Sequence, residues 1–263
     1  MIGRKNVIWE NELGQRVVFD NRILLVEYID MVGTPGIQTT ETPAMTNGQY
    51  TINRQLGPKT IPCSFAFKNR GYDDYRQRWL PQVFNPLLKG TLTVLTRTAE
   101  YRIECSALNE PVFKRDTSVP YVWRFDVDFA ADSSYWTVGE KQRLLVSEIP
   151  FSGLSRMLTS QCPFAIAPEI IFPATDEATL FQLYPSGSTS KGFTLSAHPD
   201  YPVRVITQSF DVIREDTKDD CSQVIDGTAE LDAIRIRYGG NTVMASPDNG
   251  ILLEYHNLSL GEI

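Results

Sequence analysis

Histidine, cysteine and long apolar runs are scarce in this chain, and each scarcity excludes a class of function. The 263 residues include two histidines and four cysteines, and no two cysteines form a CxxC pair. A zinc site needs about four clustered Cys, His or carboxylate ligands, and the sequence offers no such cluster. No stretch approaches the roughly 18 apolar residues of a membrane helix, so we expect no membrane partner. The first residues mix charges and predict no signal peptide, so we expect synthesis in a reducing cytoplasm.

Basic residues are also fewer than acidic residues. The chain has 25 basic and 32 acidic residues, a net charge of −7 and a pI near 5.0. This balance argues against general binding to a phosphate backbone, which needs a clustered basic surface. Cys63 and Cys105 fall on the apolar faces of predicted strands. That position favours small buried residues, with a disulfide as the alternative.

Catalytic groups are hard to assemble from these residues. His198 precedes Pro199-Asp200 in a predicted turn, but no GxSxG motif or comparable turn supports a Ser–His–Asp arrangement. Asp126 and Asp128 share one face of a predicted strand. A solvated or subunit-facing strand explains that pair better than a glycosidase site does.

Two further motifs resemble ligand sites only superficially. The acidic turn with Asp216, Asp219 and Asp220 lacks the spacing and the glycine of an EF-hand loop, so a solvated turn is favoured over calcium binding. Gly239-Gly240-Asn241 precedes no predicted helix and is therefore expected to be a turn rather than a phosphate loop. We predict that the protein is not an enzyme and uses no cofactor or metal.

One segment, Gly71–Leu95, predicts a helix in a chain otherwise typical of strands and turns. Its apolar residues form one broad face, with members Tyr75, Trp79, Leu80, Val83, Phe84 and Leu87. Pro81 removes a backbone hydrogen bond, so we expect a kink near Gln77–Trp79 or a break before Pro81. Asn85-Pro86 should end the helix.

Alternating apolar and polar residues predict antiparallel sheets with one buried face on both sides of this helix. The predicted strands of the first half are Val17–Phe19 and Ile23–Ile29 (a hairpin), Thr60–Phe67, Thr91–Thr96, Glu100–Ala107 and Pro120–Ala130. Between them, Val32–Tyr50 predicts a loop or a long hairpin arm with Asn47-Gly48 as its turn. A connection of this length is usually functional or mobile.

The second half predicts many short strands and no helix, which is typical of a β-sandwich. The predicted strands are Ile170–Phe172, Gly192–Ser196, Val203–Thr207, Phe210–Arg214, Thr228–Leu231, Ala233–Tyr238 and Ile251–Leu258. Residues 137–168 show no clear period. We therefore predict a mainly β protein with two domains. Residues 1–136 form an antiparallel β domain with one packed α-helix, and residues 137–263 form a β-sandwich.

An ordered set of motifs in Pro43–Trp136 resembles the distal tail protein (Dit) family of long-tailed, non-contractile phages. The set comprises Asn47-Gly48-Gln49, the strand Lys59–Phe67, Tyr72-Asp73-Asp74-Tyr75-Arg76 through Phe84-Asn85-Pro86 to Gly90-Thr91-Leu92, Pro111-Val112-Phe113, Trp123–Phe129 and Tyr135-Trp136. No piece is specific alone, but their order and spacing are typical of the family. The chain departs from the family's pattern at Pro81 and after Trp136.

This resemblance implies a virion protein at the tail tip. First domains, tail-tube-like in fold, would form a hexameric ring that continues the tail tube and lets DNA pass without specific binding. Second domains, galectin-like in fold, would hold tail-tip or receptor-binding proteins, or host glycans. The long loop is the candidate arm to a neighbouring subunit, with Asn47, Gly48, Gln49 and Arg54 as candidate interface residues; a merely mobile surface loop is the alternative.

Two other hypotheses remain open. A carbohydrate-binding sandwich could recognise bacterial surface glycans through exposed tyrosines, for which Tyr184, Tyr201, Tyr238 and Tyr255 are the candidates. An enzyme acting on cell-wall polymers through Asp126 or His198 is the least favoured hypothesis.

Overall fold

The computed structural model describes residues 5–43, 49–68, 78–119, 121–153, 155–226, 230–247 and 250–261. These residues form nineteen β-strands, paired antiparallel, and one short α-helix. The predicted fold class, a mainly β protein with antiparallel sheets, is confirmed. The chain divides into two compact units: unit 1 contains residues 1–138 and 259–263, and unit 2 contains residues 139–258. The sequence boundary between residues 136 and 137 stays a prediction about domains.

Unit 1 is built from one antiparallel sheet in which neighbouring strands come from distant parts of the sequence. Its strands are β1 (Asn6–Asn11), β2 (Arg16–Phe19), β3 (Leu24–Ile29), β4 (Thr34–Pro43), β5 (Gln49–Lys68), β6 (Lys89–Leu95), β7 (Glu100–Ala107), β8 (Lys114–Arg115), β9 (Val122–Ala131) and the start of β10 (Trp136–Leu145). The main order is β2-β1-β6-β7-β9-β5-β3. The predicted β2–β3 hairpin is wrong, because β2 pairs with β1 whereas β3 pairs with β5.

The alternation in β9 determines which side chains enter the core of unit 1. Phe125, Val127 and Phe129 are at most 1% exposed, whereas Arg124 and Asp126, at alternate positions of the strand, are exposed. A strand places successive side chains on opposite faces, so a period of two residues buries one face only. The β5 strand shows the same alternation and pairs with β9 in register, with Phe65 opposite Phe125.

The predicted helix is short in the described part of the chain. Helix α1 comprises Leu80–Val83, with Pro81 in its first turn, where its missing N–H breaks no hydrogen bond. The predicted Gly71–Gln77 portion lies outside the described residues. Leu80, Val83 and Phe84 are fully buried, as predicted, but Leu87 is 89% exposed. That part of the prediction is wrong because the helix ends at Val83 and Asn85 starts a turn that swings Leu87 outward.

Unit 2 is a β-sandwich. One sheet has the order β17-β16-β13-β19-β10 and the other has the order β11-β12-β18-β14-β15. Their strands are β11 (Phe151–Ser152), β12 (Ser155–Ser160), β13 (Glu169–Phe172), β14 (Thr179–Pro185), β15 (Gly192–Leu195), β16 (Val203–Ile206), β17 (Asp211–Arg214), β18 (Gly239–Ser246) and β19 (Leu252–Ser259). Phe172 of one sheet meets Phe181 and Phe193 of the other, with ring centres 5.8 and 5.9 Å apart.

Two local predictions in unit 2 are wrong because contacts between distant residues override the local sequence pattern. Gly239–Asn241, expected as a turn, begins the central strand β18, and Ala233–Tyr238, expected as a strand, holds the end of a 3-10 turn and a single bridge at Ile236. The buried amide of Asn241 donates to the carbonyl of Leu158 on β12 and exchanges hydrogen bonds with Arg237. These contacts stabilise a strand start that glycine would otherwise disfavour. Strand β14 was not predicted at all.

Candidate functional site

The candidate arm is a two-stranded ribbon. Strands β4 and β5 pair antiparallel from Thr34↔Thr60 to Pro43↔Gln49, with shifts of register on the way. The hairpin alternative of the prediction is therefore the right one, although β5 extends the arm well beyond the predicted loop. Among the candidate interface residues, Gln49 begins β5 and Arg54 lies opposite Thr39. Asn47 and Gly48 lie outside the described residues.

A buried lysine lies at the root of this arm. The Lys59 side chain is 2% exposed, and its ammonium donates to the carbonyl oxygens of Met31 and Leu260, both at 3.0 Å. The ammonium also lies 5.2 Å from the ring centre of Trp136, whose indole N–H donates to the same Met31 oxygen at 2.7 Å. The root of the arm and the segment at Leu260 are thus both bound by one cation within unit 1.

The turn before β4 fits closely against this cluster. The Asp30 carboxylate accepts a hydrogen bond from the backbone N–H of Gly33 at 2.9 Å. Gly33 has φ of +61°, and a Cβ there would come within 2.3 Å of the Thr60 carbonyl oxygen. Glycine is therefore required at position 33 both by conformation and by space.

The strand pattern predicts that the Lys59 side chain is buried, although the overall composition does not. Lys59 lies on the same face of β5 as Ile61, Cys63 and Phe65, and this face points into the core. Burial lowers the pKa of the Lys59 ammonium from 10.5 to about 8, and the nearby Asp30 carboxylate opposes that shift. A cation at a core-facing position is rare unless its hydrogen bonds are satisfied.

We predict that Lys59 makes the stability of unit 1 depend on pH between about 8 and 10.5. In this range the unfolded lysine binds a proton that the folded protein has released, so the contribution of Lys59 to the free energy of unfolding should rise with pH. Lys59→Met should lose this rise, and below pH 8 its difference from the wild type should be constant. Denaturant unfolding followed by tryptophan fluorescence measures both.

Lys114→Met is the matched control for Lys59→Met, because the Lys114 side chain is 73% exposed. It should keep the pH dependence of the wild type. A difference between wild type and Lys59→Met that stays constant from pH 7 to 10.5 contradicts the prediction.

Unit 2 carries a network of ionic side chains on the sheet that contains β13, β16 and β19. The guanidinium of Arg204 contacts the carboxylates of Glu169, Glu215 and Glu254, with Nη1 3.0 Å from Glu254 Oε2 and Nη2 2.8 Å from Glu215 Oε1. Lys141 lies 2.8 Å from the same Glu254, whose side chain is 1% exposed. The network therefore neutralises a carboxylate that water does not reach.

The pKa values in the network follow from these contacts. The hydrogen bonds from Arg204 lower the pKa of Glu215 to about 2. Burial acts to raise the pKa of Glu254, but hydrogen bonds from Lys141 and Arg204 outweigh it and lower that pKa. Both carboxylates are thus ionised at neutral pH, and the network is typical of a structural ion cluster rather than of an acid–base site.

The catalytic candidates are not assembled into a site. His198 is buried, its Nδ1 lies 2.8 Å from the Ser196 carbonyl oxygen, and its backbone pairs with Thr175. In the described part of the chain its Nε2 has no hydrogen-bond partner. The aromatic ring of Tyr201 is its neighbour, at 6.4 Å between ring centres.

Asp126 and Asp128 occupy a polar strand face. Asp126 accepts a hydrogen bond from the Ser64 hydroxyl at 2.7 Å and lies 4.0 Å from Lys114, with 62% of its side chain exposed. The backbone N–H of Asp128 donates to the Asn109 side chain. This arrangement agrees with a solvated strand face.

The described residues contain no metal-ligand cluster. No group of three or more His, Cys, Asp or Glu side chains there is arranged to hold a metal ion. All four cysteines are buried free thiols, and burial raises the pKa values of Cys63 and Cys105. None of the described helices has the length and apolar character to span a bilayer.

The four candidate sugar-binding tyrosines do not form one platform. Tyr184 lies on β14 and Tyr255 on β19, in different sheets of the sandwich. Tyr201 packs against the core, and its ring is covered by Arg214 at 4.2 Å. Tyr238 is 67% exposed just before β18.

Comparison with known proteins agrees with this fold. Residues 24–131 match the family model of the phage tail protein RIFT-related domain. Sequence comparison with curated proteins yields no match. The crystal structure of the SPP1 Dit protein, described as a paradigm of the hub adsorption apparatus in phages infecting Gram-positive bacteria, is similar over 96% of this chain and 99% of its own, with a TM-score of 0.67 and 11% identity.

Two phage baseplate structures are also similar. A chain of the phage P2 baseplate in its activated conformation with Ca aligns over 100% of both chains, with a TM-score of 0.57 and 9% identity. The p2 baseplate with Sr gives a TM-score of 0.58 over 99% of this chain and 100% of that one, at 9% identity. At such identities the likeness concerns the fold, and it confirms the resemblance to the Dit family. Residues 24–131 therefore match the phage tail protein RIFT-related domain, within a chain whose fold is similar to that of SPP1 Dit.

Proposed function

We propose that this protein is a non-enzymatic structural hub at the tail tip of a long-tailed phage. In this proposal six copies form a ring through unit 1, which joins the tail tube to tail-tip or receptor-binding proteins carried by unit 2. The observation that carries the proposal is the match of residues 24–131 to a phage tail domain, together with a Dit fold that extends over 96% of the chain.

The two-stranded arm supports ring formation, because contact with another copy would stabilise it. Strand β4 has ten residues and, in the described part of the chain, pairs with β5 alone. At about 3.4 Å per residue it extends roughly 34 Å. A two-stranded ribbon is marginally stable in water by itself, so contact with another copy would stabilise it. We therefore place the neighbour's docking site along the arm near Gln49 and Arg54.

The edge strands of the unit 1 sheet also favour association with another copy. In the described part of the chain, strands β2 and β3 each pair with a single strand, and the exposed apolar residues Val18, Ile23 and Tyr28 lie on or beside them. A groove of about 430 Å³, lined by Val18, Ile23, Leu24 and Phe67 among others, lies beside β2 and β3. Open edges with apolar side chains promote association, and head-to-tail contacts close into rings when the rotation allows.

The charge of one sheet face suits the lumen of such a ring. The outward faces of β1, β6 and β7 surround a depression of about 700 Å³ with more carboxylates than cations. Its acidic members are Glu10, Glu12, Glu100, Glu104 and Asp132, and its basic members are Arg16, Lys89 and Arg102. A net negative wall repels the DNA backbone, which would let DNA slide past without binding.

Ring formation is tested by light scattering and negative-stain electron microscopy of the purified chain, alone and with the tail tube protein. We expect six-fold rings near 178 kDa, six copies of the 29.7 kDa chain. Arg54→Glu should shift the mass towards single copies, because it reverses charge on the arm. Arg97→Glu, the same change at an exposed turn of unit 1, should leave rings intact.

A chain that stays monomeric at every concentration, even with the tail tube protein present, contradicts the ring proposal. An Arg54→Glu variant that forms rings as readily as the wild type contradicts the role of the arm and leaves ring formation standing.

A further inference from the structure

The outward face of the β11-β12-β18-β14-β15 sheet carries no charge. The five strands contain a single charged residue, Arg156. Arg156 lies on the same face of β12 as Leu158, and this face points into the core. The Arg156 guanidinium donates hydrogen bonds to the carbonyl oxygens of Ser147 and Ile149. It therefore does not contribute to the outward face, although charged residues make up 22% of the chain.

The side chains on this uncharged face are apolar, thioether or neutral polar. At its centre, Met157 and Tyr184 lie on either side of Thr242 in cross-strand register, and Gln182 lies opposite Met244. Leu180 and Met244 are each 41% exposed. The Tyr184 hydroxyl lies 3.9 Å from the Met244 sulfur, so the side chains of β14 and β18 are continuous on this face.

The uncharged face contrasts with the other sheet of the same unit, where Arg204, Glu254 and Lys141 belong to an ion network. Two copies of a chain with a net charge of −7 repel each other, and a contact through an uncharged face adds no close pairs of like charges to that repulsion. The buried centres of protein interfaces are depleted in charged residues and enriched in Tyr and Met. Flexible methionines also adapt readily to an apolar partner.

We propose that the uncharged face of unit 2 is a self-association surface, on which a second copy of this chain docks through the same face. In a two-fold contact each residue faces a copy of its own patch, so a patch without charge opposes no like charges. This inference does not depend on ring formation by unit 1.

The size of the uncharged face sets the strength of the pairing. Five strands about 4.8 Å apart and roughly 20 Å long cover about 400–500 Å² per copy. Stable complexes bury about 800 Å² per partner. The pairing should therefore be weak and concentration-dependent, favoured when many copies are held close together.

Sedimentation velocity of the full chain over a wide concentration range tests the proposal. Wild type should form a species with twice the mass of that formed by Gln182→Glu, whose new charge would lie at the centre of the contact. Gln223→Glu, the same change at an exposed position off this sheet, should behave like wild type. We expect at least tenfold weaker pairing for Gln182→Glu.

Met244→Glu is a second variant at an exposed position, and hydrogen exchange in unit 2 checks that each variant is folded. Equal masses for wild type, Gln182→Glu and Met244→Glu at all concentrations overturn the proposal, as does an equal loss of pairing in Gln223→Glu. The doubling is measured relative to the species that the variant forms. The result therefore does not depend on whether that species is a ring or a single copy.

Discussion

Replacing Phe125 by alanine should lower the free energy of unfolding of unit 1 by about 4 kcal/mol, as expected for a fully buried phenylalanine. Its side chain is 1% exposed. Its ring centre lies between 5.1 and 6.3 Å from those of Phe113, Phe65, Phe84, Phe19 and Phe67. Removing the Phe125 ring opens a cavity lined by residues from several strands and from the end of α1. No single neighbouring side chain can fill this cavity.

Tryptophan fluorescence during denaturant unfolding measures this effect. The four tryptophans, Trp9, Trp79, Trp123 and Trp136, all lie in unit 1, so the signal reports that unit. Tyr28→Ala is the control, because it removes an aromatic ring that is 54% exposed on β3. It should cost less than about 1 kcal/mol, as surface substitutions do. Equal losses for both variants would contradict a shared core around Phe125.

Arg204→Met should destabilise unit 2 by about 2–3 kcal/mol, because Glu254 and Glu215 lose charge-assisted hydrogen bonds within a largely buried ion cluster. The Arg204 side chain is 13% exposed and that of Glu254 is 1% exposed. Without the guanidinium, Glu254 keeps Lys141 and Arg143 but loses one of its cations, and Glu215 loses two hydrogen bonds. Methionine has a similar length and preserves the packing of the aliphatic part of the side chain. The loss of stability therefore reports the removal of the positive charge.

Hydrogen exchange in peptides from β13, β16 and β19 measures the effect of Arg204→Met, and tryptophan fluorescence checks that unit 1 is unchanged. Arg237→Met is the matched control at an exposed position of unit 2. The arginine's contribution should disappear as the pH falls from 4.5 towards 2, because Glu215 has its pKa lowered to about 2 by Arg204. Faster exchange of the same size in Arg237→Met would contradict the assigned role.

Much of the strand content follows from the sequence alone. The alternation of Phe125, Val127 and Phe129 with charged residues predicts β9, and the strand predicted at Glu100–Ala107 coincides with β7. Such patterns succeed because the two-residue period of a strand is local and its apolar face must be buried somewhere. The buried part of the helix was predicted for the same reason, since Leu80, Val83 and Phe84 are apolar at helical spacing.

Other features depend on residues far apart in the sequence. Gly239–Asn241 predicts a turn, yet it begins a central strand because the Asn241 amide reaches a carbonyl on β12. The candidate interface residues at the arm remain predictions, since nothing within one copy identifies what they contact.

The sequence by itself determined the mainly β fold, the buried strand faces and the resemblance to phage tail proteins. Only the tertiary structure decided that Lys59 is buried at the root of the arm, that Arg204 holds a carboxylate that water does not reach, and that one sandwich face is free of charge. The physical reason is that local periodicity specifies which side of a strand is apolar. Which strands become neighbours, and therefore which charges meet, depends on contacts between distant residues.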